Sequence, residues 1–296
     1  MTGPATDARA TPASPGAVGM LEASPAALAA WLSCVLLLLS PVGDWRIRPL
    51  VLALAVLGLL WREGWRSPAL WWALALLTGA RVLLDWPLAD NHAYLLVYWC
   101  LALALGVREP ALLARNARLL IGLCFALAAW QKWSSADYRN DVFFLTTFLL
   151  DERFENLAVL SGLSYEQIDL AREYLEADPR LPSRAFPFEL PLGLWLMARF
   201  STVWNLAEQS LVALSFLVPP GSRLRRLRDP ILLVFCLCTY AIAPVVGFGW
   251  ILLAMGVAQA EVSHRLRRAY LATFVVLIFY GEVPWSGLLV DLFNLG

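Results

Sequence analysis

The chain of 296 residues carries 23 basic side chains, and only one of them, Lys132, is a lysine. Arginine and lysine both supply charge, but only lysine gives up its proton under mild conditions. In a chain that meets every other basic requirement with arginine, a lone lysine points to a use for its deprotonated amine. A second reading stays open beside it. Lys132 closes the apolar run from Ala111 to Trp133 and lies between Trp130 and Trp133, as a snorkelling anchor in an interfacial aromatic belt does. His92, one of two histidines, stands in Asp85-Trp-Pro-Leu-Ala-Asp-Asn-His-Ala-Tyr-Leu, where an apolar run begins. Asn91 is placed there as a helix cap and Tyr94 as an interfacial aromatic, which gives this segment a structural reading as well as a functional one. The functional reading requires His92 and Lys132 to converge at one mouth.

Other polar groups inside apolar runs are few. Asn205 and Glu208 are three residues apart on one helical face, with Gln209 beside them. Polar side chains at such depth usually face a bundle interior. Arg81 and Asp85 have the spacing of a helical ion pair and are expected to pair with each other. His264 precedes Arg265-Leu-Arg-Arg and reads as part of a solvated basic loop facing lipid headgroups. There is no GxSxG, HExxH, CxxC or Walker-type glycine loop, and two histidines are too few for most metal sites, so no metal is expected. Cys34, Cys100, Cys124, Cys236 and Cys238 all lie in apolar runs and read as small hydrophobes.

The elements that must position these residues follow from composition. With 60% hydrophobic residues and 14 tryptophans, the chain reads as all-α: a polytopic integral membrane bundle of about nine spans with one long external loop. A net charge of zero, with no basic tract interleaved with aromatics, excludes a nucleic-acid partner. Residues 1–24 are rich in Ala, Pro, Thr, Ser and Gly and read as a disordered tail. Residues 25–296 read as one transmembrane domain. Its apolar runs lie at Pro25–Pro41, Arg48–Trp61, Pro68–Trp86, Ala93–Gly106, Ala111–Trp133, Leu190–Val218, Pro230–Pro244, Phe248–Ala260 and Ala269–Gly281. Several fall short of the roughly 20 residues of a straight crossing, so tilt or shared burial is expected.

Loops with Arg62 and Arg66, with Arg108, Arg115 and Arg118, with Arg223 to Arg228, and with Arg265 to Arg268 fall on alternate sides of the count. This makes the amino terminus cytoplasmic and the carboxyl terminus external. Arg46 and Arg48 are the exception. The segment from about 134 to 187 is then external. Within it, Ser164 caps an amphipathic helix whose apolar residues are Ile168, Leu170, Ala171 and Leu175. Phe186 to Arg199 is expected to lie along the interface before the next crossing.

Asn91-His-Ala-Tyr-Leu, an apolar span, and then Phe125-Ala-Leu-Ala-Ala-Trp-Gln-Lys-Trp together resemble the membrane region of vitamin K-dependent gamma-carboxylase and the horizontally transferred transmembrane (HTTM) proteins similar to it. The resemblance implies a quinone-dependent lyase or epoxidase-type enzyme working at the outer face of a bacterial inner membrane. By it, Lys132 is the base toward a reduced, vitamin K-like quinone, and His92 is its catalytic partner. Asn91, Tyr94 and, by a looser match, Glu208 line the cofactor. Membrane lipids and a lipid quinone are the implied partners. The protein substrate is unassigned, because the carboxylase grips its own with a large extramembrane domain and this chain ends at Gly296. The alternative is an HTTM-fold scaffold or lipid-binding protein without the chemistry.

Overall fold

A computed structural model describes residues 24–40, 43–61, 64–177, 188–243, 245–259 and 264–293. The expected tail falls almost wholly outside them. Among the described residues the regular structure is helical, without strands. Fifteen α-helices follow one another: α1 Pro25–Leu39, α2 Arg48–Leu60, α3 Pro68–Leu84, α4 Asn91–Gly106, α5 Pro110–Ser134, α6 Ala136–Arg139, α7 Val142–Leu150, α8 Glu155–Leu160, α9 Tyr165–Ala177, α10 Leu192–Leu217, α11 Arg223–Arg226, α12 Arg228–Ile242, α13 Val246–Gln259, α14 His264–Glu282 and α15 Trp285–Phe293. Each of the nine apolar runs coincides with one long helix. Proline opens α1, α2, α3 and α5 at the first helical positions, where its missing N–H costs no hydrogen bond.

Length separates these helices. Among the described residues α5 alone is long and apolar enough to cross a membrane by itself. The α14–α15 pair passes the same test jointly, bent by 55° at its break. The 15 residues of α1 and 14 of α13 extend only about 21–23 Å. Both are apolar on nearly every side, and a helix apolar all round belongs inside a bundle. That is where they sit: α13 packs against α1, α5, α12 and α14, with Trp250 through Gln259 all buried. Around this centre, α2, α3, α5 and α10 turn large apolar side chains outward, Leu112, Leu119, Leu123, Leu127 and Trp130 of α5 among them. Their spacing of three, four and seven residues makes one continuous apolar stripe.

The segment that follows α5, expected as one long loop, departs from expectation. It holds four α-helices with an apolar core of their own, formed by Leu145, Phe148, Phe154, Leu157, Ile168 and Ala171 with Leu194 and Ala198 of α10. Ser164 does cap α9, through a reciprocal capping box. Its hydroxyl accepts from the Gln167 N–H at 3.2 Å, while Gln167 Oε1 accepts from the Ser164 N–H at 3.0 Å. Ile168, Ala171 and Leu175 are buried as expected, but Leu170 is exposed. Of the stretch Phe186 to Arg199, Phe186 and Pro187 lie outside the described residues, and from Leu192 on it is the first part of α10, which continues to Leu217. Its first turns pack into the outer core, and Arg199 is held there by Asp141 at 3.3 Å.

Candidate functional site

Lys132 lies near the end of α5, which packs antiparallel along α10. Gly122 sets how closely they approach, since a Cβ there would lie 2.6 Å from Leu217 Cδ2. Ten residues further along α5, the same register brings Lys132 opposite the middle of α10. A helical side chain leans toward the amino-terminal end of its helix, so Lys132 reaches back along the bundle. Its Nζ donates to Asn205 Oδ1 at 2.6 Å and to Gln209 Oε1 at 2.8 Å. These two amides are four residues apart and share one face of α10. Tyr138 covers a further side, with Nζ 5.4 Å from its ring centre. That ring is stacked on Phe143 at 4.0 Å. Among the described residues no carboxylate forms an ion pair with Lys132. The flanking indoles behave differently from the lysine: Trp130 is 73% and Trp133 53% exposed, while Lys132 is half-buried.

Glu208, next to Gln209, is buried and turns toward α12, where Thr239 Oγ1 donates to its Oε2 at 3.0 Å. The other carboxyl oxygen, Oε1, is buried without a hydrogen-bond partner, as is the hydroxyl of Tyr240. Tyr240 follows Thr239 on α12 and is 3% exposed. A polar seam thus runs across α5, α10 and α12 at one level: the amides of Asn205 and Gln209 meet Lys132, and Glu208 between them turns to Thr239. Buried polar atoms left without partners are uncommon and mark places where a ligand or water has groups to satisfy.

His92 lies elsewhere, in the first turn of α4. Its ring meets Phe248 edge-on, 4.7 Å between centres, and Phe248 in turn adjoins Phe125. Phe125 precedes Lys132 by seven residues and therefore shares its face of α5, roughly 10 Å along the axis. The expected convergence of His92 and Lys132 is not seen: His92 meets Phe248, Lys132 meets Asn205, Gln209 and Tyr138, and the two are not hydrogen-bonded to each other. The charged neighbours of His92 are Asp90 and Arg153, the latter from the external helices. Asn91 does not cap α4 as expected: it is the first helical residue, and Asp90, at the N-cap position, makes no side-chain capping bond. Asn91 is exposed and Tyr94 half-buried. Arg81 and Asp85 form the expected pair.

Several partners were not singled out from the sequence. Thr239 and Tyr240 are unremarkable in the apolar run of α12 until α10 packs against it, and Tyr138, in the polar stretch after α5, is placed only by its stacking on Phe143. At the opposite end, Arg228 and Arg267 had read as solvated charges, yet both are buried. Arg228 Nη2 donates to the Gln259 carbonyl at 3.3 Å, and the Asp229 carboxylate accepts from Tyr270 at 2.8 Å and from the Gln259 side chain. This network ties α12, α13 and α14 together. His264, by contrast, is exposed at the start of α14. No protein-family model, curated protein or solved structure matches this chain.

Proposed function

We propose that the chain is a polytopic integral membrane protein, crossing about nine times with its amino terminus cytoplasmic, and that Lys132 acts as a base on a lipid-borne hydroxyl bound at the outer end. The carrying observation is the setting of Nζ between two neutral amide oxygens at 2.6 and 2.8 Å. A neutral amine has two N–H bonds, which Asn205 and Gln209 accept, and one lone pair that remains to take a proton. An anchoring lysine has no need of such partners, because its ammonium is satisfied by headgroups and water. Multiple crossing is supported by the outward apolar faces of α2, α3, α5 and α10, which are too extensive for a water-facing surface.

The resemblance to the HTTM family names the ligand class, a reduced quinone. The side chains around Nζ suit one: hydrogen-bonding amides on one helix, the Tyr138–Phe143 stack beside them, and an unpartnered carboxyl oxygen on Glu208. Bound there, a quinol would supply an acidic phenolic O–H. The chain's own part is to orient that hydroxyl with Asn205 and Gln209, receive its proton at Lys132 Nζ, and keep water out with Tyr138. Glu208 Oε2, bonded by Thr239, is a second protonatable group on the same seam. His92 and Asn91 act from the far side of the Phe125–Phe248 layer, on a ligand long enough to span it.

The test compares wild type, Lys132→Arg and His92→Ala at matched expression. One readout is the lipid that co-purifies, identified by mass spectrometry, and the other is consumption of an added quinol. Arginine keeps the charge but does not accept a proton at working pH, so a quinone should still co-purify while turnover is lost. Equal turnover in wild type and Lys132→Arg refutes the base. Absence of any bound quinone, together with no turnover in wild type, favours the scaffold or lipid-binding reading.

A further inference from the structure

Lys132 is covered by a short piece of chain that is tied down at one point. After α5 the chain turns through α6, the single helical turn Ala136–Arg139, and Asn140 to reach Asp141 and α7. None of the four residues of α6 is buried, and α6 packs chiefly on α5 and α7, its neighbours in the chain. A turn with so little apolar burial is among the least costly parts of a fold to open. Yet it carries Tyr138, whose ring centre stands 5.4 Å from Lys132 Nζ and whose ring stacks on Phe143.

Asp141 breaks two local rules. Its φ of 70° is left-handed, a conformation disfavoured for a residue with a Cβ. It also holds the N-cap position of α7 without making a side-chain capping bond, although aspartate is a preferred residue for that bond. Its carboxylate reaches Arg199 of α10 instead, with Nη1 3.3 Å from Oδ1 and 3.4 Å from Oδ2. Arg199 precedes Asn205 by six residues, about 9 Å along the helix, so the pair joins the covering segment to the helix whose amides hold Lys132. A strained backbone and a forgone cap, both accepted for one contact, are the pattern of a functional segment. The contact is also weak enough to break, because the Arg199 side chain is 60% exposed and exposed ion pairs contribute little. We propose that residues 135–141 form a lid over Lys132, latched by the Arg199–Asp141 ion pair, which opens to give a ligand's hydroxyl access to the amine and closes Tyr138 over it. The proposal rests on Lys132 being the reacting group, but its test needs no turnover.

Lys132 is the only lysine, so acylation by a water-soluble N-hydroxysuccinimide ester, mapped by peptide mass spectrometry, reads this one side chain. The full chain, purified in detergent, would be labelled at a single pH with Nα-acetyl-lysine in the same tube as the standard. Wild-type Lys132 should react more slowly than the standard. Arg199→Gln and Asp141→Asn should each speed it about 1.5- to 5-fold, the range of an exposed ion pair. Asparagine tolerates the left-handed backbone, so the second variant removes only the charge. The double variant should be no faster than either single one, because both break the same contact. Amide exchange supplies a readout independent of lysine protonation: the Asn140 N–H, which donates to the Ala136 carbonyl at 3.0 Å, should exchange faster in Arg199→Gln by the same factor. Unchanged labelling and exchange in the single variants overturn the latch, and so do factors that multiply in the double variant. Labelling that rises as expected in a chain without quinol turnover upholds the lid and counts against the base.

Discussion

Replacing Gln209 by leucine should have opposite effects depending on what stands at position 132. In the wild-type chain the leucine removes an acceptor lying 2.8 Å from Lys132 Nζ. A hydrogen bond involving a charged group contributes about 1.5–3 kcal/mol, and Gln209 is only 8% exposed, so water replaces little of it. With methionine at 132 the same substitution deletes a buried amide that has already lost its donor, so it should be neutral or stabilising by about 1 kcal/mol or more. The coupling in the cycle of Lys132→Met and Gln209→Leu is therefore about 2–3 kcal/mol for a charged donor and about 1 kcal/mol for a neutral amine. The four proteins would be unfolded in mixed micelles of rising denaturing-detergent fraction, followed by tryptophan fluorescence. Effects of Gln209→Leu that agree within about 0.5 kcal/mol in the two backgrounds refute the Lys132–Gln209 bond and, with it, the arrangement proposed for proton transfer.

Three other outcomes follow. Gly256→Ala puts a methyl 2.3 Å from the fully buried Tyr270 ring; overpacking of about 1–3 kcal/mol should exceed the roughly 1 kcal/mol that alanine gains in a helix, and a raised melting temperature would contradict the close α13–α14 contact. Tyr270→Phe keeps the ring but strips the Asp229 carboxylate of a donor at 2.8 Å, so thermal unfolding should report a loss of about 1.5–3 kcal/mol, with no loss if that bond is not made. In the external helices, the Arg153 guanidinium bonds the Asp151 carboxylate and holds its pKa below the usual range. Its stabilisation is complete above the ordinary carboxylate pKa of about 3.9 and is lost as pH falls through the lowered folded value. Amide exchange at Glu152 to Glu155 should therefore accelerate in that acid window in wild type and show no such step in Asp151→Asn.

The nine long helices are legible in the sequence because each is a nearly uninterrupted apolar run ended by proline, glycine or charge, and apolar length is a local property. The external helices are harder to read. Val142–Leu150 is as apolar as any span but only nine residues long, and charged flanks hide it within a segment that is polar on average. The capping box at Ser164 is local chemistry and was legible. What Lys132 touches was not: Asn205, Glu208 and Gln209 mark a polar face, but which helix meets that face depends on the α5–α10 register fixed around Gly122. The burial of Arg228 and Arg267 has the same cause. A run of arginines reads as solvated until Asp229, Gln259 and Tyr270 are brought in from three different helices.

The central position of α13 constrains how the chain can be made. Its partner α1 leaves the ribosome some 200 residues earlier, and at about 5–20 residues per second that leaves α1 waiting roughly 10–40 s for the surface that buries it. Over that interval Trp31, Ser33 and the other side chains of α1 are without the surface that α13 provides. Chains interrupted before Val246 would expose the inside of the bundle, and full-length yield should depend more on translation reaching α13 than on any single helix upstream.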